Sequence, residues 1–220
     1  MDLYEGIIKR QSIRGFLAKD ILRGDIEEIL KVAGNSPSYT NTQPWDVAVV
    51  SGTRKNKLSE KLLELAKSET PPKPDIDFPV DWPSEMEKRT REHGARRLKI
   101  LGIAREDKVE RKKFNLMNYE FYGAPCVAFL FMEKNLSGWS IFDMGLFAQN
   151  FILAAYSKGI GSCIQASVTG YAGEIKKFLE IDSKKKLIAC ISLGYPDFNA
   201  RLNSYRSIKK ELNEYFVWYE

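Results

Sequence analysis

Helical and strand-like hydrophobic patterns alternate along the 220 residues, which predicts a chain of the α/β type. Two observations carry this. Short apolar runs of strand length, such as "DVAVV" (46–50) and "GAPCVAFLFME" (123–133), recur at intervals. Between them stand longer stretches whose apolar residues repeat at helical spacing. On that alternation alone, the expected sheet is parallel and doubly wound.

In order, "DLYEGIIKR" places Leu3, Ile7 and Ile8 on one helical face behind Asp2 as N-cap. Ile26, Ile29, Leu30 and Ala33 make a second stripe. After the strand at 46–50, Leu58, Leu62 and Leu65 align along a third helix. "TPPKPDIDFPVDWP" (70–83) is a proline-rich interruption, extended and either mobile or draped over the surface. Charged helices are expected over 84–104 and 106–122, and a buried strand over 123–133. "WSIFDMGLFAQNFILAAYSKG" (139–159) is apolar almost all round, which marks a helix in the core or in a subunit interface. "GSCIQASV" is a strand running into a loop, "AGEIKKFLEI" a helix, and "KKLIACISLGYPD" a strand closed by a turn. The last residues include Tyr215, Phe216, Val217, Trp218 and Tyr219, a poor solvent tail and a good one to dock on a partner subunit.

Composition narrows the function. The 44% hydrophobic content suits a globular chain, and no apolar stretch approaches the roughly 20 residues that span a bilayer. The beginning of the chain is acidic and lacks the apolar core of a signal peptide. Cys126, Cys163 and Cys190 are odd in number and sit in apolar runs, as reduced thiols of a cytoplasmic protein would; they do not suggest zinc. His93 is the only histidine, which leaves little for Ser-His-Asp or Cys-His catalysis. The net charge of +5 arises locally: residues 85–113 hold 11 Lys/Arg against 6 Asp/Glu. That is too confined a footprint for nucleic-acid binding. It fits a solvated helix, or a rim that attracts anionic ligands.

"GIGSCI" (159–164) lacks the third glycine of the Rossmann fingerprint, and there is no Walker A sequence, so any phosphate must be held by side chains. "RQSIR" supplies them: Arg10 and Arg14 lie about a turn apart, each able to fork onto a phosphate, with Gln11 and Ser12 as neutral donors. Arg206, in "NSYRS", could close the same site from the far end of the chain. "SPSYTNTQPW" (36–45) concentrates hydroxyls and amides between two prolines.

With these stretches and "GIGSCIQAS" and "SLGYPD", the chain resembles the nitroreductase family of flavoproteins over nearly its whole length, most closely the nitrobenzoate-reductase-like branch. The resemblance revises the expected fold to α+β: a mostly antiparallel central sheet flanked by helices, built as an intertwined homodimer. It implies one domain over 1–220, a helical lid at about 70–122, and a tail at about 200–220 exchanged between subunits. It implies FMN held by Arg10, Ser12 and Arg206 at the phosphate, with Gln11 and Arg14 toward the ribityl or pyrimidine side. Pro37, Ser38, Asn41 and Gln43 would come from the opposite subunit. Ile164, Gln165, Ala166 and Ser167 would run along the isoalloxazine, a backbone N–H near Ala166 facing N5. Trp45 is expected to pack and not to touch the cofactor. The sequence departs from the better-known branch at Ala166, Ser167 and Ser204. The last of these removes a cation from the phosphate that Arg14 would replace.

The implied activity is ping-pong transfer of hydride from NAD(P)H through flavin N5 to nitroaromatic, quinone or activated-alkene acceptors, with no catalytic side chain. Phe114, Tyr119 and Phe121 are candidates for the pocket's aromatic lining. Reductive dehalogenation, and flavin storage or sensing without turnover, are the alternatives.

Overall fold

A computed structural model of the chain describes residues 2–220. Strand β2 (Cys126–Glu133), buried along nearly its whole length, lies at the centre of the sheet beside β4 (Lys185–Gly194). β1 (Asp46–Ser51) flanks β2, and β3 (Gly161–Gln165) flanks β4, giving the order β1-β2-β4-β3. Every neighbouring pair is antiparallel. The alternation of elements therefore misleads about direction. β2 and β3, joined by helix α6 (Gly138–Ser157), do share a direction, as a strand–helix–strand crossover requires. β4 then inserts between them, opposed to both. The α+β reading stands and the parallel one falls.

Both faces of the sheet are covered, which is why β2 reads as a continuous apolar run. Cys126, Ala128, Leu130 and Met132 pack against α6 and α2 (Arg23–Ala33), meeting Ile26, Ile29, Phe147 and Phe151. Val127, Phe129 and Phe131 face α3 (Gly52–Lys67) and α7 (Ala172–Leu179), meeting Leu58, Leu62 and Ile175. Each large buried side chain contributes about 1.5–3 kcal/mol of hydrophobic stabilisation.

Helix α1 (Leu3–Lys9) starts as expected, with the Asp2 carboxylate accepting the Glu5 N–H at 3.0 Å. Its apolar face is bare: Leu3, Ile7 and Ile8 are all exposed. The chain then runs beside β3 and past the end of β4, where Ile13 N–H donates to the Ser162 carbonyl and Leu17 N–H to that of Tyr195, both at 2.9 Å. Gly161 permits this approach, since a Cβ there would stand 2.7 Å from Ile13 and 2.9 Å from Pro196.

The proline-rich segment is draped and tied down. Lys73 N–H donates to the Gly170 carbonyl at 2.7 Å, and the Tyr171 hydroxyl to that of Thr70 at 3.1 Å. The Asp75 carboxylate receives Lys176 Nζ at 2.8 Å and Leu187 N–H at 2.8 Å. Helices α4 (Ser84–Leu101) and α5 (Lys108–Leu116) follow. The second helix expected over 106–122 ends at Leu116, and the expected last turn is ruled out by Phe121, Tyr122 and Gly123, whose φ values are 53°, 55° and 76°. Left-handed backbone cannot continue a right-handed helix.

After Tyr205 the side chains are exposed, Trp218 by 71%. Trp139 and Phe142 at the start of α6 are also bare, by 63% and 60%. The accessible surface is 13741 Å², whereas a compact monomer of 25.2 kDa has about 10,300 Å². Among the described residues, no helix is long and apolar enough to cross a membrane.

Candidate functional site

Residues 10–14 and 203–206, from opposite ends of the chain, are knotted together by Asn203. Its buried side chain accepts from Arg14 N–H at 2.7 Å and donates to the Gly15 and Asp197 carbonyls at 2.8 Å each. Its own carbonyl accepts from Gln11 Nε2 at 2.7 Å. Asn203 was visible in the sequence only as part of "NSYRS"; nothing in its type or spacing announces a hub.

This knot sets Arg10, Gln11, Ser12, Arg14 and Arg206 around one cleft of about 240 Å³. His93 of α4 and Lys209 of the tail line it too, and no carboxylate among the described residues does. The buried Nε atoms of Arg10, Arg14 and Arg97 and the buried Oε1 of Gln11 have no protein partner. Burial, and then the Arg206 charge, pushes the Arg10 guanidinium below its ordinary pKa. Burial, and then the Arg14 charge, does the same to Arg97. So many cations without a counter-ion repel one another, and a multiply charged anion would relieve the strain.

Cys163 and Tyr122 border the cluster. Burial raises both pKa values, so both groups stay neutral, while the charges of Arg14 and Arg97 pull the other way. The Arg14 guanidinium lies over the Tyr122 ring at 5.9 Å, and the phenol donates to Asn118 Oδ1 at 2.9 Å.

The decapeptide 36–45 is held from below. The Asp143 carboxylate, 2% exposed on α6, accepts Tyr39 N–H through both oxygens at 3.2 Å. Ser36 donates to the Ala33 carbonyl at 2.6 Å and accepts from Asn150 at 2.8 Å. Thr40, Asn41 and Gln43 have positive φ (48°, 60°, 46°), costly for a β-branched threonine. Ser38 Oγ accepts Gln43 N–H at 3.0 Å, while Pro37 and the Asn41 side chain face outward. Trp45 stacks on Phe147 at 5.0 Å, a packing role.

At the end of β3, Ile164, Ala166 and Ser167 are exposed. The Ala166 N–H has no protein acceptor among the described residues. Gln165 turns inward: its Nε2 donates to the Asn118 carbonyl at 2.9 Å and its Oε1 accepts from Ser192 Oγ. Only its backbone remains for a ligand. The expected aromatic lining divides. Tyr119 borders an open groove of about 480 Å³ with Tyr171, their rings 5.5 Å apart. Phe114 is buried beneath the Arg97 guanidinium, 4.8 Å from the ring centroid. Phe121 is fully buried edge-on to Phe129, so it is core and not pocket lining.

Arg97 and Tyr122 escaped the sequence reading. Arg97 sits in "GARRLK" among exposed charges, and only the fold shows that it turns inward. Among the described residues there is no cluster able to hold a metal ion.

The Nitroreductase family model matches residues 7–195. "Nitroreductase NfnB" of Mycolicibacterium smegmatis is 35% identical over 96% of this chain and 90% of its own length. A 4-nitrobenzoate reductase of Pseudomonas putida is 34% identical over 91% of this chain and 88% of its own. The crystal structure of the FMN-dependent nitroreductase NfnB from Mycobacterium smegmatis in complex with NADPH superposes with a TM-score of 0.95. It shares 32% identity and covers 99% of this chain and 97% of its own. With a match over most of its length in sequence and in fold, the chain belongs to the nitroreductase family.

Proposed function

We propose that this chain is an FMN-dependent oxidoreductase of the homodimeric nitroreductase type, drawing electrons from NAD(P)H and passing them to nitroaromatic, quinone or activated-alkene acceptors. The observation that carries the reading is the cleft between residues 10–14 and 206, with its clustered cations and orphaned buried donors. That donor set fits a phosphate dianion. Arg10, Ser12 and Arg206 would hold the phosphate, and Arg14 would serve the pyrimidine side, where a cation favours the reduced, anionic form. FMN, when bound, supplies hydride acceptance and donation between nicotinamide and acceptor.

The rest falls to the protein. The free Ala166 N–H would orient the ring system, and the exposed Ile164 would offer it an apolar edge. Pro37, Ser38, Asn41 and Gln43 of the partner subunit would close the other side, Asn41 and Gln43 being held at positive φ. Residues 70–122 form a lid that excludes water and governs acceptor range. The dimer is supported by the apolar faces of α1, α6 and the tail and by the excess surface of about 3,400 Å².

Steady-state turnover with NADH or NADPH against nitrobenzoate, a quinone and a halogenated phenol tests the proposal, with products identified. Parallel double-reciprocal lines and hydroxylamine or hydroquinone products are expected. Halide release as the main product would move the assignment to dehalogenation. Absence of turnover with every acceptor would leave a flavin store or sensor.

A further inference from the structure

One residue of the cleft comes from neither "RQSIR" nor "NSYRS". His93 lies on α4, which packs on the turn Arg201–Ser204. Its ring lines the same cleft as Arg10, Ser12 and Arg206. Its Nδ1 lies 2.8 Å from the hydroxyl of Tyr205, the residue before Arg206, with the rings 5.2 Å apart. A neutral imidazole accepting the Tyr205 hydroxyl at Nδ1 carries its hydrogen on Nε2, and Nε2 has no partner among the described residues.

We propose that His93 is a further ligand of the cofactor's phosphate, delivered by helix α4, so that the lid and the phosphate site form one unit. The inference rests on the flavin reading of the cleft. The charged and titratable groups around the imidazole are Arg14 from the first segment, Arg96 and Arg97 on α4, and Lys209 and Tyr205 from the last segment, with Arg10 and Arg206 lining the same cleft. Glu92, on the same helix, pairs with Arg96 at 3.4 Å. Burial first, then the charges of Arg97, Arg14, Arg96 and Lys209, holds the imidazole below its ordinary pKa and hence neutral. A phosphate dianion offsets that field. The imidazole then takes a proton from solvent at Nδ1, where it donates to the Tyr205 hydroxyl oxygen, and Nε2–H donates a charge-assisted hydrogen bond to the phosphate. By reciprocity, proton uptake at His93 favours FMN, and not riboflavin, as pH falls from neutrality toward about 6, where the phosphate's own second protonation begins to oppose it.

His93 is the only histidine, so the full chain with labelled histidine has one imidazole signal to titrate. Titrations are run with FMN, with riboflavin and with neither. FMN is expected to raise the apparent pKa by about one unit or more, and riboflavin to leave it in place. His93→Ala should weaken FMN about tenfold and riboflavin less than about twofold, and His93→Gln should recover part of the loss. The wild-type titration decides the matter even if the variants fold poorly. FMN bound with the signal unmoved overturns this inference alone. FMN that does not bind overturns it together with the flavin reading.

Discussion

Replacing Asn203 with alanine tests the idea that one buried amide builds the site. The change removes the acceptor of Arg14 N–H and the donors to the Gly15 and Asp197 carbonyls, bonds of 2.7, 2.8 and 2.8 Å. Each unsatisfied buried group costs about 1–3 kcal/mol. These groups are only part-buried, so about 1 kcal/mol apiece is the fair figure, about 3 kcal/mol in all. That is a large share of the roughly 5–15 kcal/mol that holds a domain folded. For a chain of this length it lowers Tm by about 6–12 °C. Asn203→Asp should do no better, because it aims a carboxylate oxygen at two carbonyls. Urea unfolding of the cofactor-free chain gives the stability, and fluorescence titration gives the FMN affinity; both should fall, since Arg10 and Arg206 lose their fixed separation. A loss under about 1 kcal/mol with FMN affinity unchanged would refute the reasoning.

Four further outcomes are expected. Asp143→Ala should speed hydrogen exchange at the Tyr39 amide about tenfold or more and weaken FMN binding, since the strained loop 37–43 loses its anchor; unchanged exchange would sink the positioning role. Asp75→Ala should destabilise by about 3 kcal/mol through an uncompensated Lys176, whereas Asp75→Ala with Lys176→Met should recover most of it; equal losses in the single and double variants would contradict this. Phe142→Glu leaves the folded chain's core untouched, yet should halve the sedimenting mass with no change in far-UV circular dichroism. Because His93 has a lowered pKa in the fold, the unfolded chain binds more protons between that value and about 6.5, so its contribution to cofactor-free stability is present above that window and lost as pH falls through it. His93→Gln should remove that part of the slope; an identical slope in both proteins would argue against it.

Much of this was legible because it was local. Asp2, the stripe Ile26–Ile29–Ala33 and the apolar β2 follow from capping, helical spacing and two-sided burial. Strand direction was not, since the insertion of β4 between β2 and β3 depends on long-range pairing that periodicity does not encode. Arg10, Ser12, Arg14 and Arg206 do converge, although 191 positions or more separate Arg206 from the rest. Gln165 shows the limit in the other direction. Its place at the end of β3 was foreseen, but its side chain is engaged with Asn118 and Ser192, which only the packed structure reveals. Phe121 was drawn into the pocket by residue type alone, whereas its ring packs edge-on to Phe129 in the core.

The central claim, that the cation-lined cleft holds a flavin working as a hydride relay, meets its most direct test in an oxygen-free visible spectrum of the purified protein. FMN is added first, then NADH or NADPH, then nitrobenzoate. The account predicts a bound flavin spectrum that bleaches with a nicotinamide donor and returns when the acceptor is added, and that is lost in Arg10→Ala combined with Arg206→Ala. A chain that binds no FMN, or whose bound FMN stays oxidised with both donors, would contradict it.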